Sequence, residues 1–356
     1  MFHFTSFPHH RLFAAALGCL AAAALPLPAA CGGAPTDGAT AYAITDLGTL
    51  PGEFGSTDDD GSTAEGINAS GQVVGKSFSS SGHAFLYSKG TMTALGTLPG
   101  DHGSYATSIN ANGQVVGYSR GPGIRHAFLY SNGTMTALGM LPDDTDSYAY
   151  GINASGQVVG YSNRAMSDAH AFLYSKGTLI ALGTLPGDIG SSAEGINASG
   201  QIVGNSSDSR GVAHAFLYSK GTMESLGTLP GDTSSYADGI NASGQVVGKS
   251  SGSSGVDHAF LYSKGKMTAL GMLPGDTSSS VTGLNASGQV VGNSSDSSNA
   301  SRAFLYSKGK MVDLTARILA GSEWKLTKAT GINDSGQICG SGTINDHIHA
   351  FLLTPK

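Results

Sequence analysis

The sequence predicts an all-β protein, a seven-bladed β-propeller of four-stranded blades, on three observations. A phrase of the form GINASGQVVG occurs seven times, with its asparagine at Asn68, Asn110, Asn153, Asn197, Asn241, Asn285 and Asn333, so that successive copies lie 42, 43, 44, 44, 44 and 48 residues apart. Each unit holds four short apolar runs separated by turn signals, the size of one propeller blade. The two ends of the repeat region are also complementary. The last unit stops at AFLLTPK after its third run, whereas the region opens with YAITDLGTLPG, a fourth-run phrase with no unit before it.

The unit that starts at Ser191 shows the pattern. SSAEGIN is the first run, NASG a turn, QIVGNSS the second run, DSRGVA a variable loop, HAFLYS the third run, KG a turn and TMESLGTL the fourth, before PGD closes the unit. Asparagine at the first turn position can bond its own backbone two residues on. Glycine at the fourth supplies the left-handed conformation of a three-residue hairpin loop with a bulge. A sheet this small buries too little alone, and radial stacking lets each blade cover its neighbour. A β-solenoid with two coils per unit is the alternative. It has no need of complementary ends, and the propeller does: the first strand completes the last blade and closes the ring.

Composition agrees. Glycine makes up 53 of 356 residues and charged residues 12%, against a usual ~25%. The glycine is punctuated by strand-like runs, so turn-rich β structure fits better than a disordered chain. A formal charge of −6 with few lysines and arginines argues against nucleic acid or an anionic membrane surface as a partner.

Residues 1–30 read as an export signal, with Arg11 ahead of the apolar stretch LFAAALGCLAAAALPLP. PAAC at Pro28 to Cys31 resembles a lipoprotein box, in which Cys31 is lipidated. Residues 31–41 are then a flexible tether, and residues 42–356 the repeat domain. Plain secretion is the alternative, because Pro28 stands where that pattern prefers leucine. The expected location is the outer membrane or cell surface, with the membrane touched through the lipid alone. Cys339 reads as a buried strand residue, and a Cys31–Cys339 bridge is open if Cys31 is not lipidated.

HAFLYS, GIN-x-x-G-Q-x-x-G and LGTLPG together resemble the HAF-repeat family of bacterial extracellular proteins over about residues 42–354. The resemblance implies export and a propeller-like repeat, and brings no settled activity. The chain departs from it at SRAF, where Arg302 replaces the motif histidine.

Chemistry is harder to find. His83, His126, His170, His214, His258 and His349 hold one position in six of seven units. Equivalent positions in a seven-fold ring of radius ~10 Å lie roughly 9 Å apart, too far to share a zinc ion, so a structural hydrogen bond is expected and no metal site. The acidic runs at Asp58, Asp59 and Asp60, and at Asp143, Asp144 and Asp146, could hold calcium, but neither matches a calcium-loop spacing. No nucleophile elbow, phosphate loop, dinucleotide fingerprint or HExxH occurs, so no catalytic or cofactor-binding residue is assigned.

The NASG and KG turns barely change from unit to unit and lie on one rim. The loops after the second and fourth runs vary and lie on the other. Binding residues gather in variable loops on rigid scaffolds. The candidates for a ligand face are therefore Tyr105, Tyr148, Tyr236, Arg120, Arg125, Arg164 and Trp324. Trp324 belongs to the long last connection TARILAGSEWKLTKAT, which can instead lock the ring shut. The resulting reading is a monomeric, exported, lipid-anchored binding module for a surface glycan or protein. A carbohydrate-active lyase or hydrolase on the variable rim and a purely structural surface protein are the alternatives. If the first strand closes the ring, deleting residues 42–50 lowers the melting temperature of the whole domain; unfolding that matches the parent would exclude closure by this strand.

Overall fold

The computed structural model describes residues 40–50, 61–78, 82–164 and 169–356. They form seven four-stranded antiparallel sheets, each a blade with strand order first to fourth from the axis outward. Blade 1 is β2 (Ser62–Ile67), β3 (Val73–Ser77), β4 (His83–Ser88) and β5 (Thr91–Ala94). Blade 2 is β6 (Gly103–Ile109), β7 (Val115–Gly121), β8 (Ile124–Ser131) and β9 (Thr134–Ala137). Blade 3 is β10 (Asp146–Ile152), β11 (Val158–Asn163), β12 (His170–Ser175) and β13 (Thr178–Ala181). Blade 4 is β14 (Gly190–Ile196), β15 (Ile202–Ser207), β16 (Ala213–Ser219) and β17 (Thr222–Ser225). Blade 5 is β18 (Ser234–Ile240), β19 (Val246–Ser251), β20 (Asp257–Ser263) and β21 (Lys266–Ala269). Blade 6 is β22 (Ser278–Leu284), β23 (Val290–Ser295), β24 (Ser301–Ser307) and β25 (Lys310–Asp313).

Blade 7 takes three strands from the end of the chain, β26 (Lys325–Ile332), β27 (Ile338–Ile344) and β28 (His347–Pro355), and its fourth from the beginning, β1 (Tyr42–Gly48). β1 pairs antiparallel with β28, from Tyr42 opposite Pro355 to Gly48 opposite Ala350. The ring is therefore closed by strand exchange between the two ends of the repeat region. Among the described residues no helix is long and apolar enough to cross a membrane.

Two repeated motifs interlock to make each blade. The phenylalanine of the third strand is fully buried in all seven blades: Phe85, Phe128, Phe172, Phe216, Phe260, Phe304 and Phe351. Across the ladder it faces the last glycine of QVVG, as Phe172 faces Gly160. That glycine is obligatory, because a Cβ on Gly160 would lie 1.9 Å from the Tyr148 carbonyl oxygen of the inner strand. The core is then laid down between blades: Phe172, Val158 and Ala149 of blade 3 pack on Val116, Ala127 and Leu138 from blade 2. Removing such a phenylalanine costs about 3–5 kcal/mol in comparable cores.

The fourth strand is shorter than the sequence suggests. In blade 4 it ends at Ser225, and the following LGTL leaves the sheet. Gly227, at φ +76°, bends the chain. Leu226 and Leu229 thereby enter the core between blades 4 and 5. The Leu229 N–H donates to Ser250 Oγ of the next blade, 3.1 Å away.

The NASG turn forms as expected, with the Gly156 N–H donating to the Asn153 carbonyl and Gly156 at φ +79°. Its asparagine does more than shape the turn. Asn153 Oδ1 accepts from the backbone N–H groups of Ser155 and Gln157 at 3.1 and 3.0 Å. Its Nδ2 donates to Gln157 Oε1 at 2.8 Å and to the Asn197 carbonyl of the next blade at 3.2 Å. The same step runs from Asn68 to Asn110 to Asn153, onward through Asn197, Asn241, Asn285 and Asn333, and back to Asn68. Seven side chains thus make a closed hydrogen-bonded belt around one end of the axis.

The belt requires an amide. In Asn153→Asp the shape and the acceptors persist, but a carboxylate replaces the donor that faces the Asn197 carbonyl. The expected cost is about 3 kcal/mol at pH 7. It should shrink at pH 4, where a protonated carboxyl can donate again. Thermal unfolding of the variant at both pH values tests this, and a melting temperature equal to the parent's at pH 7 would show that the belt does not hold the blades.

Candidate functional site

The axial channel is a cavity of about 520 Å³ lined by the inner strands of all seven blades. The inner strand runs from the variable rim to the NASG rim, so three levels of side chains succeed one another along the axis. Next to the asparagine belt is an aliphatic collar that includes Ile67, Ile152, Ile240 and Leu284. Above it lies the residue two places before the collar, which is Glu65, Thr107, Tyr150, Glu194, Asp238, Thr282 or Thr330 in blades 1 to 7. At the mouth stand Thr63, Tyr105, Tyr148, Ser192, Tyr236, Ser280 and Lys328, paired with second-strand residues such as Lys76, Tyr118, Tyr161 and Lys249.

The middle level is where the repeat loses its symmetry. Three blades keep threonine, and each of these hydroxyls donates to the carbonyl of the next blade: Thr107 to Ala149 at 2.8 Å, Thr282 to Ala329 at 2.6 Å and Thr330 to Ala64 at 2.9 Å. The other four blades replace that structural group with a carboxylate or a phenol.

Tyr150, Glu194 and Asp238 are electrostatically unlike surface groups. Asp238 makes no hydrogen bond or ion pair among the described residues, and its carboxyl is pushed up to about 8. Burial is the main cause, the Glu194 charge in the adjacent blade adds to it, and Lys249 and Lys328 oppose it. Glu194 is raised by burial as well, against a hydrogen bond from Ser192. Both side chains keep part of their surface open to the channel, yet protein surrounds their carboxyls on the other sides. Glu65 accepts a 2.5 Å hydrogen bond from the Tyr105 hydroxyl. Burial and that carboxylate hold Tyr105 far above the usual phenol range.

Tyrosines form the wall on blades 2 and 3. Tyr105 stacks on Tyr118 with centroids 5.4 Å apart, Tyr118 meets the edge of Tyr148 at 5.1 Å, and Tyr148 stacks on Tyr161 at 4.8 Å. Tyr150 joins from the middle level, 5.8 Å from Tyr161. Arg125 lies over Tyr148 at 6.0 Å.

Of the candidates read from the sequence, Tyr105, Tyr148 and Arg125 come together at the mouth, and Arg120 sits opposite Arg125 in the adjoining hairpin. Tyr236 stands across the mouth with the Lys249 ammonium 5.2 Å above its ring. Arg164 is exposed just beyond β11 and takes no part in the ring contacts. Trp324 lies away from the channel, on a separate cleft of about 530 Å³ that it shares with Ile44, Ile318 and Glu323. It is 5% exposed and packs with Tyr42, Leu314, Leu326 and Phe351 where blade 7 meets blade 6. The blade explains it: Leu326 stands opposite Gly342 where blade 6 pairs Ser279 with Ser294, and apolar filling replaces the polar contact.

Glu65, Tyr150, Glu194 and Asp238 were missed. Their signal is the residue just before GIN, which varies while its neighbours repeat.

The histidines pair with aspartates: His126 with Asp101 at 3.0 Å, His170 with Asp144 at 3.2 Å, His214 with Asp188 and His258 with Asp232 at 3.1 Å, and His349 with Asp46 at 2.9 Å. Arg302 plays the same part, donating to Asp276 at 2.6 Å. Each pair from His126 to Arg302 pins the loop by which the chain enters a blade. Asp144 is thus occupied, and Asp146 accepts from the Arg125 N–H at 2.9 Å; Asp58, Asp59, Asp60 and Cys31 lie outside the described residues. Cys339 is a free, fully buried thiol, raised to about 12 by burial, so a bridge to Cys31 would require it to leave the core.

No protein-family model matches the chain, and no curated protein matches it in sequence. Solved structures do match in shape. The β-propeller domain of the Trilobed protease from Pyrococcus furiosus aligns with a TM-score of 0.56 at 7% identity, over 84% of this chain and 95% of that one. An oligogalacturonate lyase from Vibrio parahaemolyticus gives 0.54 at 7% identity, over 88% and 97%. A puromycin-hydrolyzing peptidase of Mycobacterium tuberculosis gives 0.58 at 11% identity over 86% of this chain, which spans only 54% of that longer protein. These likenesses show the propeller fold.

The carboxyl of Asp238 ties stability to pH. Its folded-state value, about 8, lies above the ordinary carboxylate value near 4, so the folded protein holds a proton that the unfolded chain releases. Stability is therefore lost as pH rises from about 4 to 8. Asp238→Asn should melt a few degrees above the parent at pH 8 and together with it at pH 4; equal melting at both would show that the carboxyl is not perturbed.

Proposed function

We propose that the protein is an exported, lipid-anchored binding module that presents its ligand face, the channel mouth on the variable rim, away from the membrane. The observation that carries this reading is the convergence of symmetry-breaking tyrosines and carboxyls on one cavity of an otherwise repetitive ring. Chain polarity supports the orientation. Tyr42 enters the domain beside Pro355, at the rim of the constant NASG and KG turns. A tether over residues 31–41 fastened at Cys31 would therefore hold the constant rim toward the bilayer. The resemblance of the repeats to HAF-repeat proteins points to the same compartment.

A second reading, a carbohydrate-active lyase or hydrolase at the same mouth, is favoured by one feature. Asp238 keeps its proton near neutral pH beside Glu194, and carboxyls held apart in this way serve general acid–base chemistry. Release of products from a bound glycan would favour it; saturable binding without turnover favours the module.

Two measurements test the proposal. In a bacterial host, labelled palmitate should enter the parent and not Cys31→Ser, and labelling of neither would exclude the lipid anchor. On an array of bacterial and host glycans, with and without calcium, the purified protein should bind saturably, and Tyr148→Ala should lose at least about tenfold in affinity. Binding unchanged in that variant would remove the mouth from consideration.

A further inference from the structure

We propose that the channel binds a glycan carrying free amino groups, with its sugar faces against the tyrosines of blades 2 and 3 and its ammonium groups on the carboxylates of Glu65 and Glu194, beside the carboxyl of Asp238. The inference rests on the reading of the channel mouth as ligand face and names the ligand class. Three features of the cavity select this chemistry.

The carboxyl groups are spread over blades 1, 4 and 5, with Glu194 and Asp238 in adjacent blades and Glu65 apart from both, and among the described residues no three or more of His, Cys, Asp and Glu are close enough to hold a metal ion. Charges set apart around one cavity suit a ligand whose positive groups are also set apart, and a glycan with repeated amino groups has that spacing.

The wall beside the carboxylates is aromatic. Tyr105, Tyr118, Tyr148 and Tyr161 make a continuous aromatic surface, stacked within each blade and edge-on between Tyr118 and Tyr148, that reaches Tyr150 at carboxylate level. Rings of this kind cover the C–H faces of a sugar with their bodies and attract an ammonium with their faces. The cavity, about 520 Å³, is of the size that encloses a small ligand. The aliphatic collar near the constant rim offers nothing to a charged group, so the ligand enters from the mouth.

The basic residues at the mouth compensate the carboxyl groups only in part: Lys249 and Lys328 act on Asp238 without outweighing its burial, and Lys76 feels the Glu65 charge. The Lys249 ammonium is bound to Asp257 at 2.8 Å and lies over Tyr236. The Lys76 ammonium lies over Phe78 and Tyr105, at 5.1 and 5.5 Å from their centroids. Lys328 is half-buried on blade 7.

The test uses three β-1,4-linked tetramers that differ at one substituent: glucosamine, N-acetylglucosamine and glucose. Each is titrated calorimetrically into the purified protein at pH 6.5 and low ionic strength, with spermidine as a sugar-free polyamine. The glucosamine tetramer should bind at least about tenfold tighter than the other two, the scale of one charge-assisted hydrogen bond. Glu194→Gln should lose about tenfold for that tetramer and leave any weak binding of the glucose tetramer unchanged, with thermal unfolding confirming that the variant folds. Equal affinity for the three tetramers overturns ammonium recognition. Spermidine binding as tightly overturns the sugar half. Absence of tetramer binding overturns the proposal, and glycan binding through Tyr148 on the array would then still uphold the module itself.

Discussion

Each blade is held to the next by one asparagine side chain with no freedom left. In the turn of blade 1, Asn68 Oδ1 takes hydrogen bonds from the Ser70 and Gln72 N–H groups and from the Ser70 hydroxyl, while Nδ2 gives one to Gln72 Oε1 and one to the Asn110 carbonyl. The first three fix the turn and the last fixes the neighbour. A buried amide satisfied on every side is rigid and specific, and no other side chain of that size carries two N–H donors beside a separate carbonyl acceptor. This is why the phrase GINASGQVVG recurs nearly unchanged. Isoleucine supplies the channel collar, asparagine the belt, the first glycine of SGQ the left-handed turn and the last glycine the space for the inner strand.

Closure depends on the same bond. The step from Asn333 to the Asn68 carbonyl joins residues 265 apart in the chain and is geometrically like the other six. It is accompanied by Thr330 donating to the Ala64 carbonyl and by the Ala350 N–H donating to Ser62 Oγ. Blade 7 thus docks on blade 1 with the contacts that blade 2 makes with blade 3, and β1 gives it a full complement of strands. The irregular part is the junction of blades 6 and 7, where Trp324, Leu326 and Leu314 fill with apolar volume what serines bridge elsewhere.

How much of this was legible in the sequence follows from what repeats. The four-strand unit, the left-handed glycine, the buried phenylalanine of HAF and the complementary ends are all properties shared by seven copies, and periodicity exposes them. The exit of LGTL from the fourth strand was not legible, because its alternating apolar residues read as a strand until Gly227 turns the chain. The packing of Trp324 was not legible for a related reason: its burial depends on the loss of a serine at Leu326 that only register reveals. The axial residues were hidden by their economy. Variation in whole loops on the rim is conspicuous, whereas Glu65, Tyr150, Glu194 and Asp238 each differ at a single position inside an otherwise constant phrase.

That economy has a cost that the ring can bear. Threonine at the axial position gives the next blade a hydrogen bond, as Thr107 gives Ala149. Tyr150, Glu194 and Asp238 surrender that bond in three successive blades, and two of them bury a carboxyl near another. A net hydrogen bond is worth about 1 kcal/mol, and a raised carboxyl adds its own penalty as pH rises. The belt, the histidine–aspartate pairs and the seven buried phenylalanines continue through those same blades without interruption, so the loss is local and the geometry is kept. A repeat that is over-determined in seven places can give up symmetry at four axial positions, and a carboxyl kept at the cost of stability is best explained by what it meets in the channel.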